Sequence, residues 1–376
     1  MKIAHLSDLA NKSACRRLVV KVGSSLLVGK DGVRRAWLEG LVAEIAAAKA
    51  RGQEVIVVSS GAIALGAAKL GLEKGGRGSL ADAQAAAAVG QIALSGLWAD
   101  LLGAHGITAA QLLLTLEDLE DRRRYLNATA TLTRLLDAGA VPVINENDSV
   151  ATQEIRFGDN DRLAARVAQA AQAGAVLLLS DVDGLFDRNP ADPGAIRLEQ
   201  VRGVTPEIHA MATGGSSSGM GSGGMTSKLQ AAEIAERAGI ALAIASGLHD
   251  APIARATEQG VGTLFLPRRK DAGRKSWLGG RLRLKGALVI DAGAARALGK
   301  GSSLLAAGVT AVEGEFARGD AVAVRAEDGT VLAHGLAEYD ALECARLMGR
   351  QSADHAAILG YAPRSAVVHR DQMVVL

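Results

Sequence analysis

Cysteine is nearly missing from this chain: its 376 residues hold two, Cys15 and Cys344, near opposite ends. That excludes a disulfide-stapled scaffold and any Cys-x-x-Cys metal or redox motif, and points to a reducing, cytoplasmic compartment. Aromatic residues are scarce, at 3%, while alanine and glycine are abundant, which favours helices packed closely on a sheet. The seven histidines show no metal-like grouping, so His105 and His369 read as structural or exposed side chains. Neither sign of charge dominates. The formal net charge of +2 makes no overall case for nucleic acid or a membrane surface. The N-terminus carries Asp8 and lacks the apolar core of a signal peptide. The longest apolar-looking stretch, Leu80 to Ala104, is interrupted by Asp82, Gln84, Gln91 and Asp100, and reads as a buried helix, not a membrane span. There is no Gly-x4-Gly-Lys-Ser/Thr loop, no Gly-x-Ser-x-Gly elbow at Ser59-Ser60 and no kinase-type His-Arg-Asp-x4-Asn loop, which disfavours a P-loop kinase, a nucleophilic serine at that turn and a protein kinase.

What is present has the ordinary balance of a soluble globular protein, 49% hydrophobic and 22% charged, and the length suits two or three domains. One local pattern recurs four times: a helix-like run ends at glycine and an apolar strand follows within about three residues. The glycines are Gly52, Gly139, Gly174 and Gly239, and the strands Val55–Ser59, Val141–Asn145, Val176–Ser180 and Ile240–Ala245. Fully apolar strands in such units predict an open, mostly parallel sheet sandwiched by helices over residues 18–266. Ligands in such folds bind at the carboxyl ends of the strands, where Lys21, Ser60, Asn145 and Asp181 fall. The pattern then stops. Arg268 to Lys285 holds eight basic residues against one acid, a net +7 that reads as an exposed linker. From Gly286 short segments punctuated by glycine predict a small, mostly β domain: Ala287–Ile290, Val309–Val312, Ala321–Val324, Val331–Leu336 and Ala366–His369, with a short helix at Asp340–Met348. The expected division is a 1–17 extension, an 18–267 α/β domain, a 268–285 linker and a 286–376 β domain.

Two lysines carry the clearest chemistry. Lys21 ends the apolar run Leu18-Val19-Val20, and Lys228 closes Ser222-Gly223-Gly224-Met225-Thr226-Ser227 ahead of a helix. Glycines admit a polyphosphate to the backbone, amides and hydroxyls bind its oxygens, and lysine supplies a point charge. The Gly/Ser-rich stretch Thr213 to Gly224 reads as a mobile flap over that phosphate, against the commoner fate of a disordered loop. A second cluster is Asn145-Glu146-Asn147-Asp148 followed by Gly158-Asp159-Asn160-Asp161 at the start of a helix. Asp159 serves as an N-cap in any case, yet one cap leaves the other amides and carboxylates unexplained. Together they suit a ligand bearing both an ammonium and a carboxylate. The same acids could hold Mg²⁺. Ser59-Ser60-Gly61 sits at a strand-to-helix turn and is either a plain cap or an anion site.

Taken together these residues resemble the amino acid kinase family with a C-terminal PUA domain, from about Leu18 to the end of the chain. Its most specific pieces are Ser60-Gly61-Ala62-Ile63, Val141 to Asp148, Gly158 to Asp161, Gly223 to Lys228, Lys300 to Leu305 and Ile358 to Tyr361. The resemblance implies ATP-dependent, Mg²⁺-requiring phosphorylation of the side-chain carboxylate of L-glutamate, the first step of proline synthesis. It also implies feedback inhibition by proline, a homo-oligomer (a dimer or tetramer), and gamma-glutamyl phosphate reductase as the pathway partner. By matching position, Lys21 and Lys228 flank the transferred phosphoryl group and Asp161 orients them. Ser60, Asp148 and Asn160 bind glutamate; Lys21, Ser180, Asp181, Ser222, Gly223, Gly224, Met225, Thr226, Ser227 and Lys228 bind ATP. Serine replaces the family's usual threonine at Ser24, Ser59 and Ser180, and Thr226-Ser227 precedes the lysine; none of these removes a charge. The rival readings are another acid or phosphate kinase on the same fold, acting on aspartate, acetylglutamate, carbamate or uridylate, and an RNA-binding PUA protein. Against RNA stands the balance from Gly286 onward, eight basic residues to eleven acids, net −3.

Overall fold

The computed structural model describes residues 3–29, 32–150, 159–212, 224–268, 284–364 and 366–376. They fall into two units: Met1–Asp121 with Asn127–Lys270, and Arg122–Leu126 with Asp271–Leu376.

The first unit is built on an eight-stranded sheet. In chain order its strands are β1 (Arg17–Val22), β2 (Glu54–Ser59), β3 (Ala109–Leu114), β4 (Val141–Glu146), β5 (Ala175–Ser180), β6 (Gln200–Arg202), β7 (Ala241–Ser246) and β8 (Thr263–Leu266). In space they run β3-β4-β2-β1-β5-β7-β8-β6. Every pairing is parallel except β7 with β8, so the mostly parallel sheet expected from the apolar strands is borne out. The four recurrent units supply β2, β4, β5 and β7, within a residue or two of the expected bounds.

Alternation along β1 decides which face each residue serves. Leu18, Val20 and Val22 join Val55, Val57, Leu177 and Leu179 in one core. The same core takes Trp37, Leu38, Leu41, Val42 and Ile45 of α1 (Arg35–Ala50), spaced to form one helical stripe. Lys21 therefore belongs to the opposite face, where the amphipathic helices α5 (Asp159–Ala170) and α6 (Gly224–Arg237) pack. Between these elements in the chain lie α2 (Ala62–Leu70), α3 (Leu80–Gly103) and α4 (Arg122–Asp137). Among the described residues α3 is the one helix long and apolar enough to cross a membrane. One side of it, including Leu94, Trp98, Leu101 and Leu102, is buried in the protein's own core.

The second unit has a five-stranded sheet with β9 (Gly286–Ile290), β10 (Val309–Gly314), β11 (Ala321–Ala326), β12 (Val331–Leu336) and β13 (Met373–Val375), ordered β10-β9-β11-β12-β13. The helix expected at Asp340–Met348 is present as Ala341–Leu347, capped by Asp340. Two local expectations fail. Ala366–His369 is not a strand: only Val368 forms an isolated bridge, to Leu304, and the last strand comes at Met373. A helix also occupies Ala292–Gly299, started by the Asp291 carboxylate accepting from the Ala294 amide at 2.7 Å. Of the expected linker, residues 269–283 lie outside the described residues, as do residues 213–223 of the flap expected at 213–224.

Candidate functional site

Lys21 is the one charged residue inside the otherwise buried run from Leu18 to Val22 of a central strand. A buried ammonium needs a partner, because desolvation alone would drive it neutral. The partner is Asp161, in the first turn of α5, which is 1% exposed. Its Oδ1 lies 2.6 Å from the Lys21 ammonium, an ion pair in the main, since no well-directed hydrogen bond reaches that oxygen. Its Oδ2 takes the other two groups: the Lys228 ammonium at 3.2 Å and the Ser227 hydroxyl at 3.1 Å. Ser227 and Lys228 both also donate to the Gly224 carbonyl, at 3.1 and 3.2 Å.

Charge explains the protonation states. Burial would push the Asp161 carboxyl up, but the ammoniums of Lys21 and Lys228 overcome it and hold it down at about 2. Burial pulls the Lys21 ammonium below the usual lysine range; Asp161 opposes that, and Lys228 reinforces it. Within the trio two ammoniums face one carboxylate, an excess of positive charge in a nearly dry place, beside the starts of two helices. An arriving anion balances that charge, and the helix N-termini favour it further.

A second group surrounds the ends of β2 and β4. The Ser60 amide donates to the Val22 carbonyl at 3.0 Å, tying the turn to β1. Gly61 then begins α2 at φ 111°, where an L side chain is strained and a Cβ would lie 3.1 Å from Leu27 Cδ2. The Asn160 amide nitrogen donates to Ser60 Oγ at 2.8 Å and to Asn145 Oδ1 at 3.1 Å. Asn145 in turn donates to Gln91 Oε1 at 2.9 Å. Ser59 accepts from the Trp98 indole at 3.0 Å. Asp148 is buried in the turn after β4, and its field acts on Arg77.

Of the residues expected on the nucleotide side, Ser180 closes β5 and donates to Asp181 Oδ1 at 3.0 Å. The Ser180 carbonyl accepts from the Gly247 amide at 2.7 Å. Asp181 is exposed, and its charge acts on Lys21. Gly224, Met225 and Thr226 form the first turn of α6. Ser222 and Gly223 lie outside the described residues, as does the side chain of Asp159. Sequence reasoning missed Gln91, Trp98 and Arg77. The first two sit seven residues apart on α3, hence on one face of it. The signal that could have found them is a glutamine and a tryptophan sharing the apolar side of a buried helix.

Comparison with known proteins identifies the family. The amino acid kinase family model matches residues 16–246, and the PUA domain model residues 286–359. A protein of Novosphingobium aromaticivorans named glutamate 5-kinase is 73% identical, covering 100% of both chains. Proteins of the same name from Sphingopyxis alaskensis and Zymomonas mobilis are 62% and 54% identical. The first aligns over 97% of this chain and 98% of its own, the second over 96% and 92%. Among solved structures, carbamate kinase from Giardia lamblia bound to AMP-PNP aligns with 68% of this chain and 99% of its own, at a TM-score of 0.49 and 19% identity, a weak likeness. A family model matched across more than half the chain, and curated relatives aligned over nearly all of it, lead to one assignment: the chain belongs to the amino acid kinase family.

Proposed function

We propose that the chain transfers the terminal phosphoryl group of ATP to the side-chain carboxylate of L-glutamate, giving gamma-glutamyl phosphate for proline synthesis. The observation that carries this reading is the clasp of two lysines on opposite oxygens of one buried carboxylate, at 2.6 and 3.2 Å. The name shared by the full-length relatives directs the choice of acceptor. The acceptor carboxylate has an ordinary pKa of roughly 4.3 and is already an anion at neutral pH, so the reaction needs no general base. Asp161, held ionised at about 2, is a poor proton acceptor and serves to aim the two ammoniums. The barrier is electrostatic: an anion must approach a polyanion while charge spreads over the equatorial oxygens. Lys21 and Lys228 meet that charge.

Ser60, Asp148 and Asn160 bind the amino acid; Ser180, Asp181 and residues 222–228 hold the nucleotide. Among the described residues no three His, Cys, Asp or Glu side chains group to hold a metal, and the Asp161 oxygens are engaged by lysines. The Mg²⁺ of this reaction therefore fits as a cation carried in on the triphosphate, keeping its waters. When bound, it neutralises phosphate charge. We assign residues 18–267 to catalysis, 268–285 to a tether and 286–376 to a PUA-like domain of a cytoplasmic homo-oligomer. Proline as feedback inhibitor and gamma-glutamyl phosphate reductase as pathway partner complete the reading. Trapping the acyl phosphate as a hydroxamate, with glutamate, aspartate, acetylglutamate and uridylate compared as acceptors, tests it. Glutamate should be preferred, and a preference for aspartate refutes the choice.

A further inference from the structure

We propose that Gln91 sets the hydrogen-bond polarity of the amino-acid pocket, and so its preference for an acceptor that carries an ammonium group. The inference rests on the amino-acid substrate proposed above. Gln91 lies on α3 and reaches Asn145 across the end of β4. A primary amide has one end that donates and one that accepts. Because Gln91 Oε1 accepts from Asn145 Nδ2 at 2.9 Å, the oxygen of Asn145 is turned toward Asn160. Asn160 must then present its nitrogen, which donates to Asn145 Oδ1 and to Ser60 Oγ together. Two consequences follow at the far end of this relay. Asn160 Oδ1 is a fully buried acceptor with no hydrogen-bond partner. The Ser60 oxygen is occupied as an acceptor, so its proton is left to donate. An acceptor beside a donor matches an ammonium beside a carboxylate, and a buried acceptor left unpaired rewards any ligand that supplies the missing N–H.

The anchor of this relay is stiff. A Cβ placed on Gly90 would lie 1.7 Å from the Ala62 carbonyl oxygen, and one on Gly66 would lie 1.8 Å from that of Ala86. The backbones of α2 and α3 therefore touch, and the register of Gln91 against the Ser60 turn at the head of α2 is locked. The Trp98 indole donating to Ser59 fixes the same helix at a second point.

The test is Gln91→Met, which fills similar space without an acceptor, alongside Gln91→Glu, which keeps one. The decisive readout is discrimination between glutamate and glutarate, the same diacid without the ammonium, taken as the inhibition constant of glutarate over the KM of glutamate. In Gln91→Met this ratio should fall about tenfold and the KM for glutamate rise about 10- to 30-fold. The KM for ATP and kcat at saturating glutamate should each move less than about threefold. Gln91→Glu should hold the ratio at or above the wild-type value. A ratio unchanged in Gln91→Met, or an equal rise in the KM for ATP, overturns the proposal. If Gln91→Met does not fold, Gln91→Glu decides alone: a preserved ratio supports the proposal and a collapsed one overturns it. Should the wild type phosphorylate a different amino acid, the substrate reading falls, yet the same ratio for that amino acid and its deaminated analogue still decides the role of Gln91. A wild type indifferent to the ammonium overturns it.

Discussion

Replacing Asp161 with asparagine removes one negative charge and little volume, from the point where two buried ammoniums meet. Lys21 and Lys228 are each 7% exposed, and their carboxylate contacts are 2.6 and 3.2 Å. Breaking a buried pair by deleting one partner costs about 3–5 kcal/mol, because the remaining charge stays desolvated. For a domain of this size that is on the order of 10 °C in Tm. Its pH dependence is distinctive. Burial already pulls Lys21 below its ordinary range, and losing Asp161 removes the main force opposing that. Between the folded and unfolded pKa values the unfolded chain then binds more protons, so the stability of the variant rises with pH. Thermal melts of both proteins at pH 7 and 9 should show the gap narrowing. ATP should narrow it too, by supplying the missing negative charge. Turnover should fall about a hundredfold or more, since the lysines are no longer aimed. An Asp161→Asn protein that melts within about 2 °C of wild type at pH 7, with no gain at pH 9, would refute the claim that this carboxylate balances the site.

Three further outcomes follow from the same geometry. Lys21→Ala and Lys228→Ala should each lower kcat about a hundredfold or more while the far-UV circular dichroism stays native; near-normal kcat in either removes the two-lysine mechanism. In acid, Asp161 has its folded pKa depressed to about 2. The stability it contributes is full above the ordinary carboxylate range and is lost as pH falls toward 2. The stability gap between wild type and Asp161→Asn should therefore shrink by about 2 kcal/mol from pH 4 to pH 2, and a constant gap in denaturant titrations contradicts this. Gly90→Ala should force α2 and α3 apart, because the added methyl meets the Ala62 carbonyl at 1.7 Å. It should lower Tm by several degrees and raise the KM for glutamate more than that for ATP; an unaffected Tm contradicts the close approach.

The sheet was legible because its strands are apolar on both faces and follow glycine-terminated helices, a pattern set by local physics. Lys21 and Lys228 stood out for the same reason: one is a charge inside an apolar run, the other follows a glycine-rich turn. Gln91 was visible too, but only as an interruption in an apolar helix. A single polar residue on a buried helix carries no mark of what it faces until β4 is placed beside it. Ser60, Asn145 and Asn160 were found singly, whereas the direction of the hydrogen bonds among them depends on three elements distant in sequence. In the second unit, the short β-like segment Ala366–His369 reads as a strand, yet it forms a lone bridge at Val368. Short segments such as this are decided by tertiary pairing more than by propensity. The helix at Ala292–Gly299 is marked in the sequence chiefly by the single Asp291 cap, a weak signal beside the surrounding strand-like segments.

The most direct measurement is a crystal structure of the protein with glutamate and a non-hydrolysable ATP analogue. The account predicts the Lys21 and Lys228 ammoniums both at about 3 Å from oxygens of the terminal phosphate, with the glutamate side-chain carboxylate facing that phosphate from the Ser60 and Asn160 side. A terminal phosphate bound away from either lysine would contradict it.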